Sequence, residues 1–287
     1  MKIVAFDRKD GAGLGLVEGD QVIDLSAVDP QAPRELGALL RGAGVGALAA
    51  IASRAGPAHR IPLSSLAYRM PVETPGKIIC LGLNYLEHVA EGGYKPQGYP
   101  TLFMRCMTSL APHNAPLERP QASIQFDYEA ELVAIIGKKA RHLTKENALE
   151  CVAGYSVFND GSIREYQRHT VQWTMGKNFD RSGSFGPLFV SSDELPPGAA
   201  GLSIECRLNG QSVQKDNTAN MSYNVVDTLV YVTEGITLEP GDLLVMGTPA
   251  GVGHGRKPQL WMKAGDVCEV EIEKVGLLSN KIVDEKA

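Results

Sequence analysis

The sequence predicts a mostly β protein with a few helices. Short apolar segments with strand character alternate with turns rich in Gly, Asn and Asp, and beyond residue 72 only two stretches read as helices. Because strands do not alternate regularly with helices, a doubly wound parallel sheet is disfavoured. With 287 residues, 44% of them hydrophobic, the chain is large enough to bury a substantial core.

The first part of the chain is predicted to form a small α+β domain over residues 1–72. Three segments read as short strands, KIVAF, GLGLVEG and QVIDL, and the stretch PRELGALLRGAGVGALAAIAS places apolar residues at helical spacing. The Pro/Gly-containing segment VETPGK (Val72–Lys77) is the predicted boundary. A larger domain is therefore expected over residues 73–287.

The larger domain is predicted to be built mainly of strands. Strand character is found in KIICLGLN, AELVAIIG, YSVFND, LSIECRLNG, DLLVMGTP and DVCEVEIE. Helices are predicted for TKENALECVAG, with Thr144 as its N-cap, and for MSYNVVDTLVYVTEG.

Composition excludes several classes of function. The formal net charge is −5 and no basic patch is present, which argues against nucleic acid as a partner. No apolar run approaches the roughly 18 residues of a membrane span, and the N-terminal segment is too charged for a signal peptide. The five cysteines are scattered without a CxxC pair, which indicates reduced core cysteines and no zinc site. We therefore expect a cytoplasmic protein that binds neither nucleic acid nor membrane.

The most informative stretch is FDYEAELVAIIGK, which places Asp127, Glu129 and Glu131 at every second position. On a strand these carboxylates share one face, and a solvated strand face is the ordinary interpretation. Here the pattern runs into a segment that is apolar on both faces, so we predict a central strand. Buried carboxylates need a cation, and Asp160 supplies a further one where another strand ends. Oxygen ligands without His or Cys predict Mg²⁺ or Mn²⁺.

From about residue 75 to residue 283, the chain contains a series of distinctive segments in unbroken order: KIICLGLNYLEHVAE, DYEAELVAIIGKKAR, VAGYSVFNDGSIREYQ, QWTMGKNFDRSGSFGPLFV, LNGQSVQ, LEPGDLLVMGTPAGVG and KAGDVCEVEIEKVGLLSN. The resemblance that these segments carry is to the fumarylacetoacetate hydrolase superfamily, within it the acylpyruvase and 2-hydroxyhepta-2,4-diene-1,7-dioate isomerase-like subgroup. It implies a β-roll catalytic domain of mixed strands and a homodimer. The family's metal-binding pattern falls on Glu129, Glu131 and Asp160, whereas Asp127 is expected to be structural.

The resemblance also gives a role to His88 and Glu91. Three residues apart, they share one face of a helical turn, so Glu91 can orient His88 as a general base. The Gly- and Pro-rich segment that follows suits a mobile lid, and we expect residues 87–99 to become ordered when a ligand binds. The remaining histidines have no comparable context: His59, His113, His142, His169 and His254.

Several polar side chains match positions that the family places around its substrate. Lys177 matches a lysine beside the metal that stabilises an enolate. Arg164 and Gln167 match residues that frame the substrate, and Thr248 matches one that holds its carboxylate. Arg105 stands where the family usually has a lysine, and it is likewise expected to bind substrate.

The implied substrate is a 2-oxo acid. We predict hydrolysis of a C–C bond in a 2,4-dioxo acid, such as fumarylpyruvate, maleylpyruvate or a diketo sugar acid, in the catabolism of aromatic compounds or sugar acids. Decarboxylation of oxaloacetate and isomerisation of a 2-hydroxy-diene-dioate are the alternatives, because all three reactions stabilise an enolate with the cation and Lys177. Gly161 and Met246 depart from the family pattern near the expected pocket, so the individual substrate stays open.

Overall fold

The computed structural model describes residues 1–91 and 98–286, and it confirms the mostly β fold with mixed sheets. The strands are β1 (Lys2–Arg8), β2 (Gly11–Glu18), β3 (Gln21–Asp24), β4 (Arg60–Pro62), β5 (Ile78–Gly82), β6 (Thr101–Met104), β7 (Leu110–Ala111), β8 (Leu117–Arg119), β9 (Phe126–Asp127), β10 (Ala130–Ile136), β11 (Val152–Asn159), β12 (Ser162–Ile163), β13 (Gly183–Ser191), β14 (Ser203–Leu208), β15 (Gln211–Asn217), β16 (Leu243–Val245), β17 (Val267–Ile272) and β18 (Gly276–Asp284).

The α-helices are short except for the last. They are α1 (Leu25–Val28), α2 (Leu36–Arg41), α3 (Ala47–Ala52), α4 (Leu86–Glu91), α5 (Arg164–Gln167), α6 (Thr174–Lys177) and α7 (Val225–Gly235). In the described part of the chain, none of them is both long and apolar enough to cross a bilayer.

The largest sheet runs through the whole molecule in the order β4-β3-β2-β1-β13-β11-β10-β16-β5-β6, with β7 added beside β13. Most of its pairs are antiparallel, but β16–β5 and β13–β7 are parallel. A second sheet has the order β15-β14-β17-β18-β8, and β9 pairs only with β12. The mixed strand directions fit the predicted catalytic fold.

Strand β10 lies in the middle of the large sheet, as its sequence predicts. It pairs antiparallel with β11 on one side and with β16 on the other. Leu132 and Ala134 face one hydrophobic cluster, whereas Val133 and Ile135 face another. A strand covered on both faces needs apolar residues at every position, which is why the alternating pattern stops at Glu131.

The two faces of the large sheet are covered by different elements. One face packs against the five-stranded sheet and α7, through residues such as Ile204, Val270 and Leu229. The other face is covered by α2 and α3, through Leu39 and Leu48. These two layers fix the central strands that carry the acidic residues.

The N-terminal strands join the same sheet as the rest of the chain. β1 pairs antiparallel with β13, with Lys2 opposite Val190 and Val4 opposite Leu188. Strands β1 to β4 thus continue the sheet beyond the predicted boundary at residue 72. The division into two domains stays a prediction.

One predicted helix is wrong and another is confirmed. In TKENALECVAG only residues Ala148–Cys151 form a 3₁₀ turn, because Val152 starts β11 and pairs with Ile136. Sheet pairing therefore overrides the local helix propensity, and Thr144 caps no helix. The other prediction holds, since α7 begins after Asn224, whose side chain accepts a hydrogen bond from the Asp227 amide.

The partly buried histidine His113 should make stability fall in mild acid. Its Nδ1 accepts a hydrogen bond from the Ser279 amide at 3.0 Å, and its ring lies edge-on to Tyr68. Burial lowers the pKa of His113 to about 4, below the roughly 6.5 of an unfolded chain. As pH falls from about 6.5 to about 4, only the unfolded state takes up this proton, so the free energy of unfolding decreases.

The variant His113→Asn keeps an acceptor near the Ser279 amide but does not titrate. We expect urea unfolding at pH 7 and pH 5 to show a larger loss of stability for the parent protein than for this variant. Equal losses would show that the imidazole of His113 does not resist protonation in the folded protein.

Candidate active site and metal centre

Three carboxylates predicted as metal ligands lie together. One side-chain oxygen from each of Glu129, Glu131 and Asp160 lies within 4.8 Å of the others, and all three residues are buried. The ladder brings them together, because Ala130 pairs with Asn159 and the Asp160 amide donates to the Glu129 carbonyl at 3.0 Å. The predicted continuous acidic strand is interrupted, however, since β9 ends before Tyr128 and β10 begins after Glu129.

Lys177 connects two of these carboxylates. Its Nζ lies 2.6 Å from Glu129 Oε2 and 2.6 Å from Asp160 Oδ2. The side chain is 2% exposed, and its ammonium lies 5.0 Å from the centre of the Phe103 ring. Burial opposes the charge, but Asp160 and Glu129 raise the pKa of Lys177, so it stays cationic.

Arg164 holds the acidic stretch from the other side. Its Nε donates to Asp127 at 2.8 Å, its Nη2 donates to Glu129 at 2.6 Å, and its Nη1 donates to Gln167 at 2.9 Å. Burial opposes ionisation of Glu129, but Arg164 and Lys177 lower its pKa to about 2. Glu129 is thus a carboxylate with both oxygens engaged.

Asp127 lies outside the cluster of three and has a different task. Its Oδ1 accepts the Gly253 amide at 2.7 Å, and its Oδ2 accepts the His254 amide at 2.9 Å. Together with its ion pair to Arg164, these contacts tie the loop after β16 to the acidic stretch. The expectation of a structural role fits these contacts.

Arg105 lies behind Asp160. Its Nη1 is 2.5 Å from Asp160 Oδ1 and also donates to the Gly161 carbonyl, while Nη2 and Nε donate to Ser182 and Ser109. Both charged side chains of the pair are fully buried. Among the described residues that line the cavity, Arg105 is absent. The prediction that it binds substrate therefore has no contact to support it, and the geometry shows a support for Asp160.

Glu131 is the carboxylate without a cationic partner at hydrogen-bonding distance. Burial, followed by the charges of Asp160 and Glu129, raises its pKa well above the usual range. Its Oε2 accepts the Gly247 amide at 2.6 Å. Gly247 has φ +86, and an added Cβ would lie 2.7 Å from the Cβ of Asn84, so only glycine suits this position.

The acidic cluster forms the floor of a cavity that holds most of the predicted site residues. Of the predicted residues, those lining it are His88, Glu91, Glu129, Glu131, Arg164, Gln167, Lys177 and Thr248. Asp160, like Arg105, lies beneath this surface. Neither Gly161 nor Met246 is among the described residues lining the cavity. Gly161 has no room for a side chain, since a Cβ would lie 1.9 Å from the Ser182 carbonyl oxygen.

The predicted helical turn with His88 and Glu91 is present in α4. His88 Nδ1 lies 3.3 Å from Glu91 Oε2, and the Gly251 amide donates to Glu91 at 3.1 Å. The carboxylate thus orients the imidazole and also attaches α4 to the loop after β16. Of the predicted lid over residues 87–99, residues 92–97 lie outside the described residues, so its ordering stays a prediction.

Sequence reasoning missed several residues of this site. His254 and Arg168 line the cavity, as do the aromatic rings of Phe103 and Trp173. The signal for His254 was its position in the Gly-rich segment GTPAGVGHG, a loop whose backbone contacts Asp127 of the acidic stretch. For Arg168 no local signal existed, because its position depends on where α5 ends.

The donor set fits a divalent cation. Three oxygens converge and none belongs to His or Cys, as a hard cation prefers. The buried cluster contains four carboxylates and three cationic side chains: Asp127, Glu129, Glu131, Asp160, Arg105, Arg164 and Lys177. If all of these groups are ionised, the cluster has a net charge of one negative unit. A divalent cation from solution would more than offset this excess.

The contrast between a buried arginine and a partly exposed one tests the support for Asp160. Arg105→Met leaves a buried carboxylate with one cationic partner fewer, and we expect a loss of about 3–5 kcal/mol in the free energy of unfolding. The matched variant Arg119→Met breaks an exposed pair with Asp284, for which about 0–1 kcal/mol is expected. Urea unfolding of both variants measures the difference, and similar small losses would contradict the supporting role.

Comparisons with known proteins agree with this geometry. The family described as "Fumarylacetoacetate (FAA) hydrolase C-terminal" matches residues 77–283. The relative "Oxaloacetate tautomerase fahd2, mitochondrial" of Xenopus laevis is 35% identical over 99% of this chain and 90% of its own length. The human relative "Oxaloacetate tautomerase FAHD2A, mitochondrial" is 35% identical over 99% of this chain and 92% of its own length.

Solved structures share the fold over nearly the full length. The fumarylacetoacetate hydrolase of Exiguobacterium antarcticum has a TM-score of 0.86 at 34% identity, covering 99% of this chain and 100% of that one. The maleylpyruvate hydrolase of Sphingobium sp. SYK-6, solved with manganese(II) and pyruvate, has a TM-score of 0.82 at 27% identity and covers 100% of both chains.

The predicted cytoplasmic location is wrong by this comparison, because the names of the matched relatives from Xenopus laevis and Homo sapiens place them in mitochondria. Reduced buried cysteines fit any reducing compartment, so they could not distinguish between the two locations.

The fold, the acidic cluster and the family match over residues 77–283 agree, and the chain belongs to the fumarylacetoacetate hydrolase family.

Proposed function

We propose that this enzyme uses one divalent cation, Mg²⁺ or Mn²⁺, to catalyse the keto–enol tautomerisation of oxaloacetate. The observation that carries the proposal is the position of a carboxylate-oriented histidine, His88, in the same cavity as the acidic cluster. The similarity to oxaloacetate tautomerases over 99% of the chain supports this choice among the family's reactions.

The cation would be held by Glu129, Glu131 and Asp160. When bound, it supplies Lewis-acid polarisation of the substrate's 2-oxo group. Lys177 orients Glu129 and Asp160 through its two ion pairs, and its ammonium adds positive charge near the oxygen that becomes anionic. Arg105 fixes the far side of Asp160.

His88 is the residue proposed to move the proton. Glu91 accepts from Nδ1–H, which leaves Nε2 as the basic nitrogen. Nε2 takes a proton from C3 of the keto acid, and the resulting imidazolium gives this proton to the 2-oxo oxygen, which completes the enol. The reverse sequence returns the ketone and leaves His88 neutral again. No water is consumed and no C–C bond breaks in this reaction.

Two neutral side chains are suited to hold the carboxylate next to the 2-oxo group. Thr248 Oγ1 accepts a hydrogen bond from Gln214 Nε2 at 2.9 Å, so its own hydroxyl hydrogen is available for a substrate oxygen. Gln167 Oε1 accepts from Arg164, which leaves its amide N–H groups for the same purpose. Arg164 itself is engaged by Asp127 and Glu129 and acts through Gln167.

A second candidate is hydrolysis of a C–C bond in an acylpyruvate. The maleylpyruvate hydrolase with bound manganese(II) and pyruvate favours it. The same His88 can take a proton from water instead of from C3, so the residues described do not separate the two reactions. Oxaloacetate decarboxylation and diene-dioate isomerisation are the weaker alternatives.

The homodimer remains a prediction, and light scattering of the protein in solution would test it.

Removing one acidic ligand should remove the cation. Glu131→Gln keeps an oxygen for the Gly247 amide but loses the carboxylate charge, and we expect the affinity for Mg²⁺ and Mn²⁺ to fall by more than the roughly 10- to 100-fold seen for outer partners of a metal site. Calorimetry measures this, with Glu87→Gln on the exposed side of α4 as the control. Parent-like binding by Glu131→Gln would refute the ligand assignment.

Loss of the proposed base should slow proton transfer. His88→Ala is expected to reduce oxaloacetate tautomerisation, followed through the ultraviolet absorbance of the enol, by about 10²- to 10⁴-fold. His59→Ala, remote from the cavity, is the matched control. Parallel assays with acylpyruvates decide between the candidate reactions, because an enzyme that turns over acylpyruvates but not oxaloacetate would be a hydrolase. If His88→Ala tautomerised oxaloacetate at the rate of the parent, His88 would be excluded as the base.

A further inference from the structure

One cationic side chain of the cavity, that of Arg168, has no partner among the residues that the structure describes. Arg168 follows directly after α5, is exposed, and lines the cavity together with Gln167 and Trp173. Its backbone amide closes the end of the helix, but within the described ranges its guanidinium makes no hydrogen bond or ion pair. All five donors of this side chain are therefore available to a ligand.

The other charged groups of the cavity differ in this respect. Arg164 is paired with Asp127 and Glu129, and Lys177 is paired with Glu129 and Asp160. Their charges are thus largely balanced by carboxylates of the protein itself. Arg168 brings positive charge that no carboxylate among the described residues balances.

His254 adds a neutral donor on the same cavity. Gln259 Nε2 lies 3.3 Å from His254 Nδ1 and also donates to the His254 carbonyl, which identifies it as the amide nitrogen. Nδ1 is then the acceptor, and the ring proton lies on Nε2. Burial, followed by the charges of Arg168 and Arg164, lowers the pKa of His254, in agreement with a neutral ring close to Arg168.

Arg168 and His254 line the same cavity as the groups assigned to the reacting end of the substrate, but they are not among those groups. Thr248, Gln167 and the acidic cluster account for one carboxylate and its neighbouring oxo group. They leave Arg168 and the Nε2–H of His254 without a substrate atom. A guanidinium together with an N–H donor suits a carboxylate, which both can contact with charge-assisted hydrogen bonds.

We propose that Arg168, assisted by His254, binds a second carboxylate at the far end of the substrate, so that the enzyme selects dicarboxylic 2-oxo acids. This inference rests on the proposed function, because it takes the acidic cluster as the site of the 2-oxo carboxylate end. It assigns a specificity to that site which depends on neither the tautomerase nor the hydrolase reaction.

An ordinary solvated arginine is the simplest competing interpretation of Arg168. Such residues usually point away from a cavity or pair with a neighbouring acid. Arg168 lines the cavity instead. The loop that carries His254 is fixed on the same cavity by two hydrogen bonds, which its backbone amides donate to Asp127. A preformed site of this kind is what selective binding of a second carboxylate requires.

The test compares two non-reacting ligands of equal chain length, 2-oxoglutarate and 2-oxopentanoate, which end in a carboxylate and a methyl group. Their binding to the Mg²⁺-loaded enzyme is measured by calorimetry. We expect the parent to bind 2-oxoglutarate about 10-fold more tightly or better, as one hydrogen bond between charged groups provides. Arg168→Gln should remove this preference and leave 2-oxopentanoate binding unchanged, while Arg168→Lys should retain part of it.

The control variant is Lys281→Gln, which neutralises an exposed lysine of β18 away from the cavity. It changes the net charge by the same amount and should bind both ligands like the parent. Equal affinities of the parent for the two ligands, or a preference that survives in Arg168→Gln, would overturn this inference alone. Failure of the parent to bind either ligand would overturn the proposed function as well, and the two failures are therefore distinguishable.

Discussion

The ion pairs of Lys177 with Glu129 and Asp160 are the interactions on which the rest of the site depends. All three side chains are buried, so each charge has lost its hydration and is tolerated only while its partners are in place. Lys177 comes from α6, and the two carboxylates border β10 and β11. One ammonium group thus fixes a short helix against the two central strands of the large sheet.

The remaining cations extend this arrangement in two directions. Arg105, just after β6, holds the second oxygen of Asp160, and Arg164, at the start of α5, holds the second oxygen of Glu129. Each carboxylate is therefore fixed by two cations from different elements. Such pairing keeps both carboxyl groups oriented, so that little reorganisation is needed when a cation or substrate binds.

The turn after β16 links the acidic cluster to the histidine. The Gly247 amide donates to Glu131, and the neighbouring Met246 carbonyl accepts Asn84 Nδ2 at 2.7 Å. Asn84 lies two residues before α4, and its side chain also binds the backbone of Tyr223. A displacement of this turn would move a carboxylate and the base together, which makes Asn84 and Gly247 part of the site although neither performs chemistry.

The sequence was sufficient for the parts of the fold and the site that follow from local pattern. The apolar run after Glu131 predicted a central strand, and the spacing of His88 and Glu91 predicted a shared helical face, since both depend on residues close in the chain. TKENALECVAG failed because the pairing of Val152 with a distant strand overrode its helix propensity. Arg105 was predicted to bind substrate, and its ion pair with Asp160 was not foreseen, because no local signal shows which carboxylate a distant arginine will approach.

The charge balance of the cluster explains how one site can attract an anionic substrate despite its many acids. Without a bound ion, the four buried carboxylates outnumber the three cations, and the raised pKa of Glu131 relieves the repulsion by favouring its protonated form. A divalent cation in place of that proton would leave the cluster one charge positive. Under the proposed function, this change of sign draws the 2-oxo carboxylate inward. Arg168 then adds positive charge that no carboxylate in the described part of the chain compensates, so a dianionic substrate would meet favourable potential at both ends, whereas a monoanion would meet it only at the metal.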